Sequence, residues 1–319
     1  MWWVNIALVP ATIAALYFFR EMALLHVVVC ILTCVLSEAL IQKATGSQVT
    51  VSDGSAVVTG LLLALNLPPA APFWMGIIGG IFAIAVAKHC FGGLGYNIFN
   101  PALAARAFLL IAFAQDMSGG WTSPSGLAGM VNAGLTEVDA FSGATALDAL
   151  KQLSRSGAAV PLNWEVLKNL FLGRTGGSLG ETSALFLLIG AAFLLYKRII
   201  TWHIPISYCA TVFLIGFIQG LATGGGLLVP VFHLLAGGLI LGAFFMATDM
   251  VTSPVTFTGR IIFGVGCGIL TMLIRLYGGY PEGVSFAILL MNCLTPLLDR
   301  YTKPKTFGAA TLKKLEATS

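Results

Sequence analysis

Apolar runs long enough to cross a lipid bilayer follow one another along most of the chain. A membrane-spanning helix needs about 20 mainly apolar residues, and the pattern predicts about ten such helices. Their approximate bounds are 3 to 19, 22 to 41, 55 to 67, 72 to 89, 98 to 114, 182 to 196, 200 to 221, 227 to 248, 255 to 276 and 281 to 298. The first run has no basic segment and no small-residue cleavage site before Arg20, so it is predicted to be a helix and not a secretion signal.

Two parts of the chain differ in composition from these runs. Residues 115–181 are rich in glycine, serine and charged side chains, and residues 299–319 contain five lysines and arginines. We therefore expect four parts: a first group of five helices in 1–114, an external loop in 115–181, a second group of five helices in 182–298 and a basic tail in 299–319.

The two groups of helices share an order of glycine and proline residues. Three positions recur at shifts of 182, 182 and 184 residues, pairing Gly60 with Gly242, Pro72 with Pro254 and Gly95 with Gly279. This order indicates an internal repeat, and two groups with an odd number of helices must cross the membrane in opposite directions. The alternative is that glycine and proline, which are common in membrane helices, recur by chance.

The composition excludes a soluble protein. Of the 319 residues, 57% are hydrophobic and 9% are charged, whereas a typical soluble domain has about 25% charged residues. The net charge of +4 gives no reason to expect a nucleic-acid partner. The six cysteines lie in apolar runs without the paired spacing of zinc or iron–sulfur sites. They are predicted to be packing residues, with ligands shared across a subunit boundary as the alternative.

The basic residues predict the orientation, because short loops rich in lysine and arginine remain in the cytoplasm. With ten helices, nearly all of them fall on one side of the membrane, namely Lys43, Lys88, Lys197, Arg198, Arg260 and the basic residues of the tail. Arg20 is the one short-loop exception, and Glu21 offsets its charge. Both termini are therefore expected in the cytoplasm, and the loop 115–181 on the opposite side.

Polar and helix-breaking residues interrupt several of the predicted helices at or near membrane depth. The breaks lie at 66–69, 97–101, 248–254 and 280–283. Non-helical backbone at that depth must line a cavity or be buried in protein, and paired breaks are typical of a binding site or pathway. Short re-entrant turns near the membrane surface are the alternative.

Ionisable side chains inside membrane helices are costly, so each is a candidate functional residue. Those that qualify are Glu38, Arg106, Asp249, Arg275 and Glu282. Glu38 lies near a helix end, and the alternative there is a side chain that simply reaches the surface. The histidines have no carboxylate at helical spacing and are not predicted to bind haem or metal; they are His26, His89, His203 and His233.

The external loop contains the sequence Asp139-Ala140-Phe141-Ser142-Gly143-Ala144-Thr145. Glycine and alanine before Thr145 leave its hydroxyl uncrowded, so a modifying enzyme can reach it and join it to a phosphate. As an alternative, Ser142 caps a helix that begins near Gly143. The two roles are compatible, because a helix N-terminus also favours the negative charge of a phosphate.

This motif resembles the recognition site of flavin transferases, which attach FMN through its phosphate to a threonine hydroxyl. Further stretches follow the order seen in the RnfD family of Rnf-complex subunits: TGLLLALNLPP, FGGLGYNIFNPALAARAFL, GSLGETS and ATDMVTSP. Rnf complexes are ion-translocating oxidoreductases that link ferredoxin and NAD, and the NqrB family of sodium-pumping NADH:quinone reductases shares the motifs more loosely. The resemblance implies an all-α integral membrane fold of two inverted five-helix repeats with broken helices, similar to urea and ammonium transporters.

The resemblance also implies roles for individual residues. The cofactor-binding residues that it implies are Thr145, Asp139, Ser142, Gly143, Ala144, Asn100 and Arg106. Thr145 carries FMN as a phosphoester, and the other loop residues form the frame that the transferase recognises. In the related NqrB family a second, noncovalent flavin sits among the helices, and the resemblance implies Asn100 and Arg106 as contacts of such a flavin, riboflavin or FMN, in this chain. The stretch 176–181 either approaches the flavin or is a flexible linker.

The implied function is that of a flavin-carrying membrane subunit in an electron-transport complex that moves sodium ions or protons, and this subunit is not catalytically complete alone. The implied partners are the flavin transferase, membrane lipid, membrane subunits A, E and G, and soluble subunits B and C, which carry iron–sulfur clusters and bind NAD respectively. The implied location is the bacterial cytoplasmic membrane. Broken, repeated helices also suit a passive channel or transporter for a small polar solute, and covalent flavin would distinguish the two.

Overall fold

The regular structure of the chain is helical throughout the part that can be described. The computed structural model describes residues 1–119, 147, 151, 163–173, 176–181, 183–279 and 282–303, and no strand occurs among them. The helices are α1 Trp2–Phe19, α2 Glu21–Ala44, α3 Ser55–Leu65, α4 Phe73–Ile81, α5 Pro101–Ala112, α6 Ala114–Gly119, α7 Trp164–Leu172, α8 Ala184–Tyr196, α9 His203–Thr223, α10 Leu228–Leu235, α11 Leu239–Leu241, α12 Phe257–Tyr277 and α13 Val284–Tyr301.

Short π-helical and 3-10 segments lie next to several of these helices. A π-helical turn continues α4 at Phe82–Val86 and α11 at Gly242–Met246, and short 3-10 turns lie at Val51–Asp53 and His89–Phe91. Such π turns are frequent at functional sites. Both of them come directly before a break in the helical backbone.

Several helices have the length and hydropathy needed to cross a bilayer. Within the described ranges, five qualify alone: Trp2–Phe19, Glu21–Ala44, Phe73–Phe91, His203–Thr223 and Phe257–Tyr277. A sixth candidate combines α10 with Leu239–Met246, bent by 64° at the break between them, and α3, α5 and α8 are shorter apolar helices. The chain is therefore an all-α integral membrane protein.

The structure divides the helix predicted at 227 to 248 into two parts. The structure ends α10 at Leu235 and begins α11 at Leu239. Gly237 lies in the left-handed region at φ +58°, a backbone conformation that glycine adopts without strain. The breaks predicted at 66–69, 97–101 and 248–254 are confirmed, because α3 ends at Leu65, α5 begins at Pro101 and no helix covers 248–254.

The helices of the second group begin at a nearly constant distance from those of the first. The starting residues differ by 182 for α1 and α8, 182 for α2 and α9, 184 for α3 and α11, 184 for α4 and α12, and 183 for α5 and α13. In both groups, a long helix packs closely on one that follows it. A Cβ on Gly60 of α3 would lie 2.7 Å from the Cα of Ile31 in α2, and one on Gly268 of α12 would lie 2.6 Å from the Cβ of Thr211 in α9. Small residues allow helices in lipid to approach this closely.

The main apolar core lies where the broken helices of the two groups meet. Its least exposed members include Leu8, Leu63, Leu103, Leu241 and Ile288, all at most 1% exposed. They come from α1, α3, α5, α11 and α13. The C-terminal end of α3 at Asn66 and the N-terminal end of α5 at Asn100 are held deep in the protein. Polar side chains must therefore satisfy the unpaired backbone groups of these ends.

Candidate functional site

One buried guanidinium, that of Arg106 on α5, joins the broken helices. Its Nη1 donates to Asn66 Oδ1 at 2.9 Å and to Ser285 Oγ at 3.1 Å. Its Nη2 forms an ion pair with Glu282 Oε2 and lies 3.7 Å from Glu181 Oε1. These five residues, which we term the Arg106 centre, come from the ends of α3 and α13, from α5 and from the segment before α8. A single cation thus connects the two helix groups and the end of the long loop.

The segment 176–181 pairs with the end of α3. The N–H of Leu179 donates to the carbonyl of Leu67 at 3.1 Å, and that of Gly180 donates to Leu65 at 2.6 Å. These bonds use carbonyls that the helix end leaves free. Ser178 and Leu179 are fully buried. The flexible-linker alternative for this segment is therefore wrong, and the pairing places Glu181 beside Arg106.

Gly180 has no room for a side chain, which gives a test of this arrangement. A Cβ there would lie 2.8 Å from Leu65 Cβ and 2.9 Å from Leu65 O. We expect Gly180→Val to lower the free energy of unfolding by about 1–3 kcal/mol through overpacking, measured by thermal unfolding in detergent. Gly279→Val is the matched control, because no atom of the described residues lies within 4 Å of a Cβ at Gly279. Equal losses in the two variants would contradict the pairing.

A second buried guanidinium closes the break between α10 and α11. Nη1 of Arg275 donates to the carbonyl of His233 at 2.6 Å, and Nη2 donates to those of Ala236 at 2.9 Å and Gly237 at 3.1 Å. A cation at the C-terminal end of a helix satisfies free carbonyls and favours the helix dipole. Arg275 therefore stabilises the break that the sequence pattern did not predict.

The long loop meets this break through Leu147. Its side chain is 4% exposed and packs in a cluster with Val166, Leu167, Leu170, Phe232 and Ala236. A Cβ on Gly237 would lie 3.3 Å from Arg275 Nη2, 3.7 Å from Glu282 Cγ and 3.9 Å from Leu147 Cδ2. The backbone at Gly237 therefore lies between the loop and the two charged side chains.

Several polar atoms around this break retain hydrogen-bonding capacity. Within the described part of the chain, the buried atoms without a hydrogen-bond partner include Ser178 Oγ, Glu181 Oε1, Arg275 Nε and Glu282 Oε1. Buried polar atoms of native proteins are nearly always paired with protein, water or a ligand. The region can therefore bind water or the polar atoms of a ligand with both acceptors and a donor.

A cavity of about 170 Å³ lies beside the N-terminus of α5, where Asn100 and Pro101 line it. Most of its lining is apolar and includes Leu62, Leu194, Phe244 and Phe245. The polar lining residues are Ser55, Thr59, Lys88, Asn97, Asn100, Thr248 and Asp249. A mainly apolar cavity with a few polar groups is typical of small-molecule and cofactor sites.

Asn100 lines this cavity and also caps α5. Its Oδ1 accepts from the N–H groups of Ala102 at 3.1 Å and Leu103 at 3.3 Å, and its Nδ2 lies 3.4 Å from the carbonyl of Met246. Arg106 is not among the lining residues of the cavity. Six residues of helix advance about 9 Å and turn the side chain to another face. Asn100 therefore lines the cavity, whereas Arg106 lies further along α5 in the Arg106 centre.

Glu38 is buried, so the surface alternative for this residue is wrong. Its two carboxylate oxygens lie 2.7 and 2.9 Å from Nζ of Lys88, and the two residues are each 1% exposed. Nζ of Lys88 also donates to Ser55 Oγ at 2.7 Å. Lys88 was expected to mark the cytoplasmic surface, and its burial removes it from that set. Two opposite charges in the second and fourth apolar runs were the sequence signal for this pair.

The remaining candidates from the sequence divide between the two sites. Asp249 lines the cavity, where Thr252 Oγ1 donates to its Oδ2 at 3.4 Å. Glu282 belongs to the Arg106 centre. The flavin-attachment motif lies outside the described residues, and its members are Asp139, Ser142, Gly143, Ala144 and Thr145. Sequence reasoning did not single out Asn66 or Ser285 as partners of Arg106.

The amino-acid sequence matches a family model over almost its whole length. Residues 1–308 match the NQR2, RnfD, RnfE family. This chain belongs to that family. The family that the order of the motifs predicted is therefore confirmed. This chain contains the two buried polar sites described above.

Relatives in this family are similar to this chain over nearly its whole length. The D subunit of the Na(+)-translocating ferredoxin:NAD(+) oxidoreductase complex of Acetobacterium woodii is 47% identical over 313 residues, which are 98% of this chain and 91% of the relative. The D subunit of the proton-translocating ferredoxin:NAD(+) oxidoreductase complex of Clostridium ljungdahlii is 45% identical over 310 residues, 97% of this chain and 91% of the relative. The D subunit of the ion-translocating oxidoreductase complex of Stutzerimonas stutzeri is 44% identical over 326 residues, covering 96% and 90%.

Proposed function

We propose that this chain is a membrane subunit of an ion-translocating ferredoxin:NAD oxidoreductase and couples electron transfer to the movement of sodium ions or protons. The observation that carries the proposal is its similarity to the D subunits of such complexes over at least 96% of the chain. Relatives whose names specify sodium or protons are 47% and 45% identical to it. The two buried polar sites support a function within the membrane.

The first part of the proposal is that FMN is attached to Thr145 through its phosphate. Thr145 precedes Leu147 by two residues, so the chain keeps the two Cα atoms within about 7 Å of each other. Leu147 packs against the break at Gly237. Nε of Arg275, which has no hydrogen-bond partner among the described residues, is available there to donate to a phosphate or a flavin carbonyl. The described residues therefore fit the cofactor, which supplies reversible electron transfer when bound.

The second part is that a noncovalent flavin occupies the cavity near Asn100. The apolar walls suit an aromatic ring system, and Oδ1 of Asn97, which has no hydrogen-bond partner among the described residues, suits a donor on its polar edge. Arg106 lies about 9 Å further along the axis of α5 than Asn100. The covalent flavin would then lie closer to Arg106 than to Asn100. Both flavins would lie close to this one helix.

The third part concerns topology. We infer ten membrane crossings in two inverted repeats, because helices α1 to α5 have counterparts at shifts of 182 to 184 residues. Lys43 lies in the last turn of α2, Lys197 follows α8 and Arg300 lies in the last turn of α13. The excess of basic residues on that face supports a cytoplasmic location for both termini. The flavin loop would then face the outside of a bacterial inner membrane.

Labelling of single cysteines tests the topology. We expect a cysteine at position 125 or 145 to react with an impermeant thiol reagent in intact cells, in a background without exposed native thiols. A cysteine at position 197 or 313 should react only after the cells are opened, because the basic residues of that face retain it in the cytoplasm. Labelling of position 313 but not 125 in intact cells would contradict the proposed orientation.

Reconstitution tests the function. Ferredoxin and NAD are cytoplasmic, and a flavin on Thr145 would lie across a hydrocarbon core of about 30 Å. We therefore expect the purified subunit to be stable and yellow but unable to reduce NAD with reduced ferredoxin. Activity should appear when membrane subunits A, E and G and soluble subunits B and C are added. A single chain that reduces NAD as fast as the assembled complex would contradict the proposed role.

A further inference from the structure

A row of four polar side chains, three of them ionisable, runs from the turn after α4 to the cavity near Asn100. Nε2 of His89 lies 3.9 Å from Glu38 Oε1. The carboxylate of Glu38 contacts Nζ of Lys88 at 2.7 and 2.9 Å, and Lys88 contacts Ser55 Oγ at 2.7 Å. Lys88 and Ser55 both line the cavity. The row therefore has four members, each close to the next.

The two ends of the row differ in exposure. The side chain of His89 is 15% exposed and lies in the short turn that follows α4, while Glu38 and Lys88 are 1% exposed. Nε2 of His89 is buried and has no hydrogen-bond partner among the described residues. Nε2 of His89 and Oε1 of Glu38, 3.9 Å apart, are too distant for a direct hydrogen bond. A small movement of the imidazole ring or one bridging water would connect them. The histidine therefore lies between the protein surface and the buried carboxylate.

Few other groups face this row. Gln42 Nε2 donates to Glu38 Oε1 at 3.1 Å and to Thr50 Oγ1 at 2.9 Å, and neither residue titrates. The thiol of Cys34 is close enough to interact with both Lys88 and Glu38. Asp249 also lines the cavity. Chains of carboxylate and histidine side chains inside membrane proteins commonly carry protons.

We propose that His89, Glu38 and Lys88 form a proton path from the turn after α4 to the cavity. For each proton delivered, the Lys88 ammonium releases one into the cavity. His89 then takes a proton from water and passes it to the Glu38 carboxylate, and the resulting carboxyl group passes it to neutral Lys88. The Lys88 ammonium, the Glu38 carboxylate and neutral His89 are thereby restored. The proposal rests on the proposed function, because it requires a group in the cavity that gains a proton when partner subunits reduce it.

If the ion pair between Glu38 and Lys88 served only to hold the helices together, it would need neither His89 beside it nor a cavity next to Lys88. Packing α2 against the end of α4 requires the contact between Glu38 and Lys88, but not an unpaired histidine nitrogen at the surface side of the carboxylate. It also does not require the ammonium group to face a cavity. A neutral pair of similar size would serve packing equally well, since such replacements of buried ion pairs are often neutral or stabilising. This difference separates the two explanations.

The experiment uses the complete purified complex and three variants of this subunit. Glu38→Gln combined with Lys88→Met removes both charges but retains the side-chain volume. His89→Gln removes the entry group without changing the buried pair. His203→Gln is the matched control, because His203 also has an unpaired ring nitrogen but has no ion-pair partner among the described residues. Electron transfer from reduced ferredoxin to NAD is measured in H2O and D2O from about pH 6 to about pH 8.

We expect the double variant to transfer electrons at least about tenfold more slowly, the scale of a lost proton-transfer group. The deficit should increase with pH, because protons must then enter directly from a solution in which they become scarcer. His89→Gln should show a smaller loss and a larger solvent isotope effect than the unmodified complex. His203→Gln should match the unmodified complex in rate and isotope effect.

Two outcomes would overturn the path. The first is a double variant with the rate and pH profile of the unmodified complex, and the second is His89→Gln with unchanged rate and isotope effect. The second outcome remains decisive even if the double variant fails to assemble. Extractable flavin is measured in each preparation. Its absence from the unmodified complex would refute the proposed occupant of the cavity, whereas equal flavin with unchanged rates would refute the proton path alone.

Discussion

Arg106→Met is expected to destabilise the protein by about 3–5 kcal/mol, because it leaves the buried carboxylate of Glu282 without its partner. Asn66 and Ser285 also lose the donor that now serves them. Arg106→Lys should cost less but still destabilise, since one ammonium group cannot reproduce the planar fork that interacts with four residues. Thermal unfolding in detergent and the amount of subunit in the membrane both measure the effect.

The control for Arg106 is an arginine outside the buried centre. Arg260 is partly exposed and donates to Pro254 O at 3.1 Å and Thr201 Oγ1 at 3.3 Å. Arg260→Met should therefore cost at most about 1 kcal/mol. Combining Arg106→Met with Glu282→Met should recover part of the loss, as both charges are then absent. Strictly additive losses in the double variant would show that the two residues do not interact.

Thr145→Ala is expected to remove all covalent flavin and most electron transfer. The phosphoester needs a hydroxyl at this position, and alanine has none. Thr145→Ser should retain some covalent flavin for the same reason. Fluorescence of the denatured chain on a gel measures the attached flavin, and electron transfer from ferredoxin to NAD in the complete complex measures the consequence.

A neighbouring hydroxyl provides the control for Thr145. Ser142 belongs to the same motif but is not the proposed acceptor, so Ser142→Ala should reduce the covalent flavin less than Thr145→Ala does. Fluorescence that persists on the denatured Thr145→Ala chain would place the attachment elsewhere. Loss of fluorescence without loss of electron transfer would show that electron transfer does not require the covalent flavin.

The sequence pattern predicted most helices and most breaks because both have local causes. Apolar runs gave the long helices, and Asn66 with the prolines that follow it gave the end of α3. The break at 236–238 was missed, since two glycines inside an apolar run carry no polar or proline signal. Its cause is tertiary: Arg275 binds the carbonyls of that break from another helix.

The candidate site was predicted by residue type but not by arrangement. Arg106 and Glu282 were candidates because ionisable residues are costly in lipid, yet they are 176 positions apart and no spacing rule connects them. The same rule identified Glu38 but not Lys88, which the charge pattern assigned to the surface. Glu181 reaches Arg106 only because its segment pairs with the end of α3. Contacts of this range follow from the packing of the two helix groups.

The mass of the purified, denatured chain tests the central claim most directly. The account predicts a chain that is heavier than its amino-acid sequence by one FMN less one water, with the added mass on the peptide that contains Thr145. The same chain with Thr145→Ala should have the mass of the polypeptide alone. An unmodified mass for the natural chain, purified from cells that contain the assembled complex, would contradict the account.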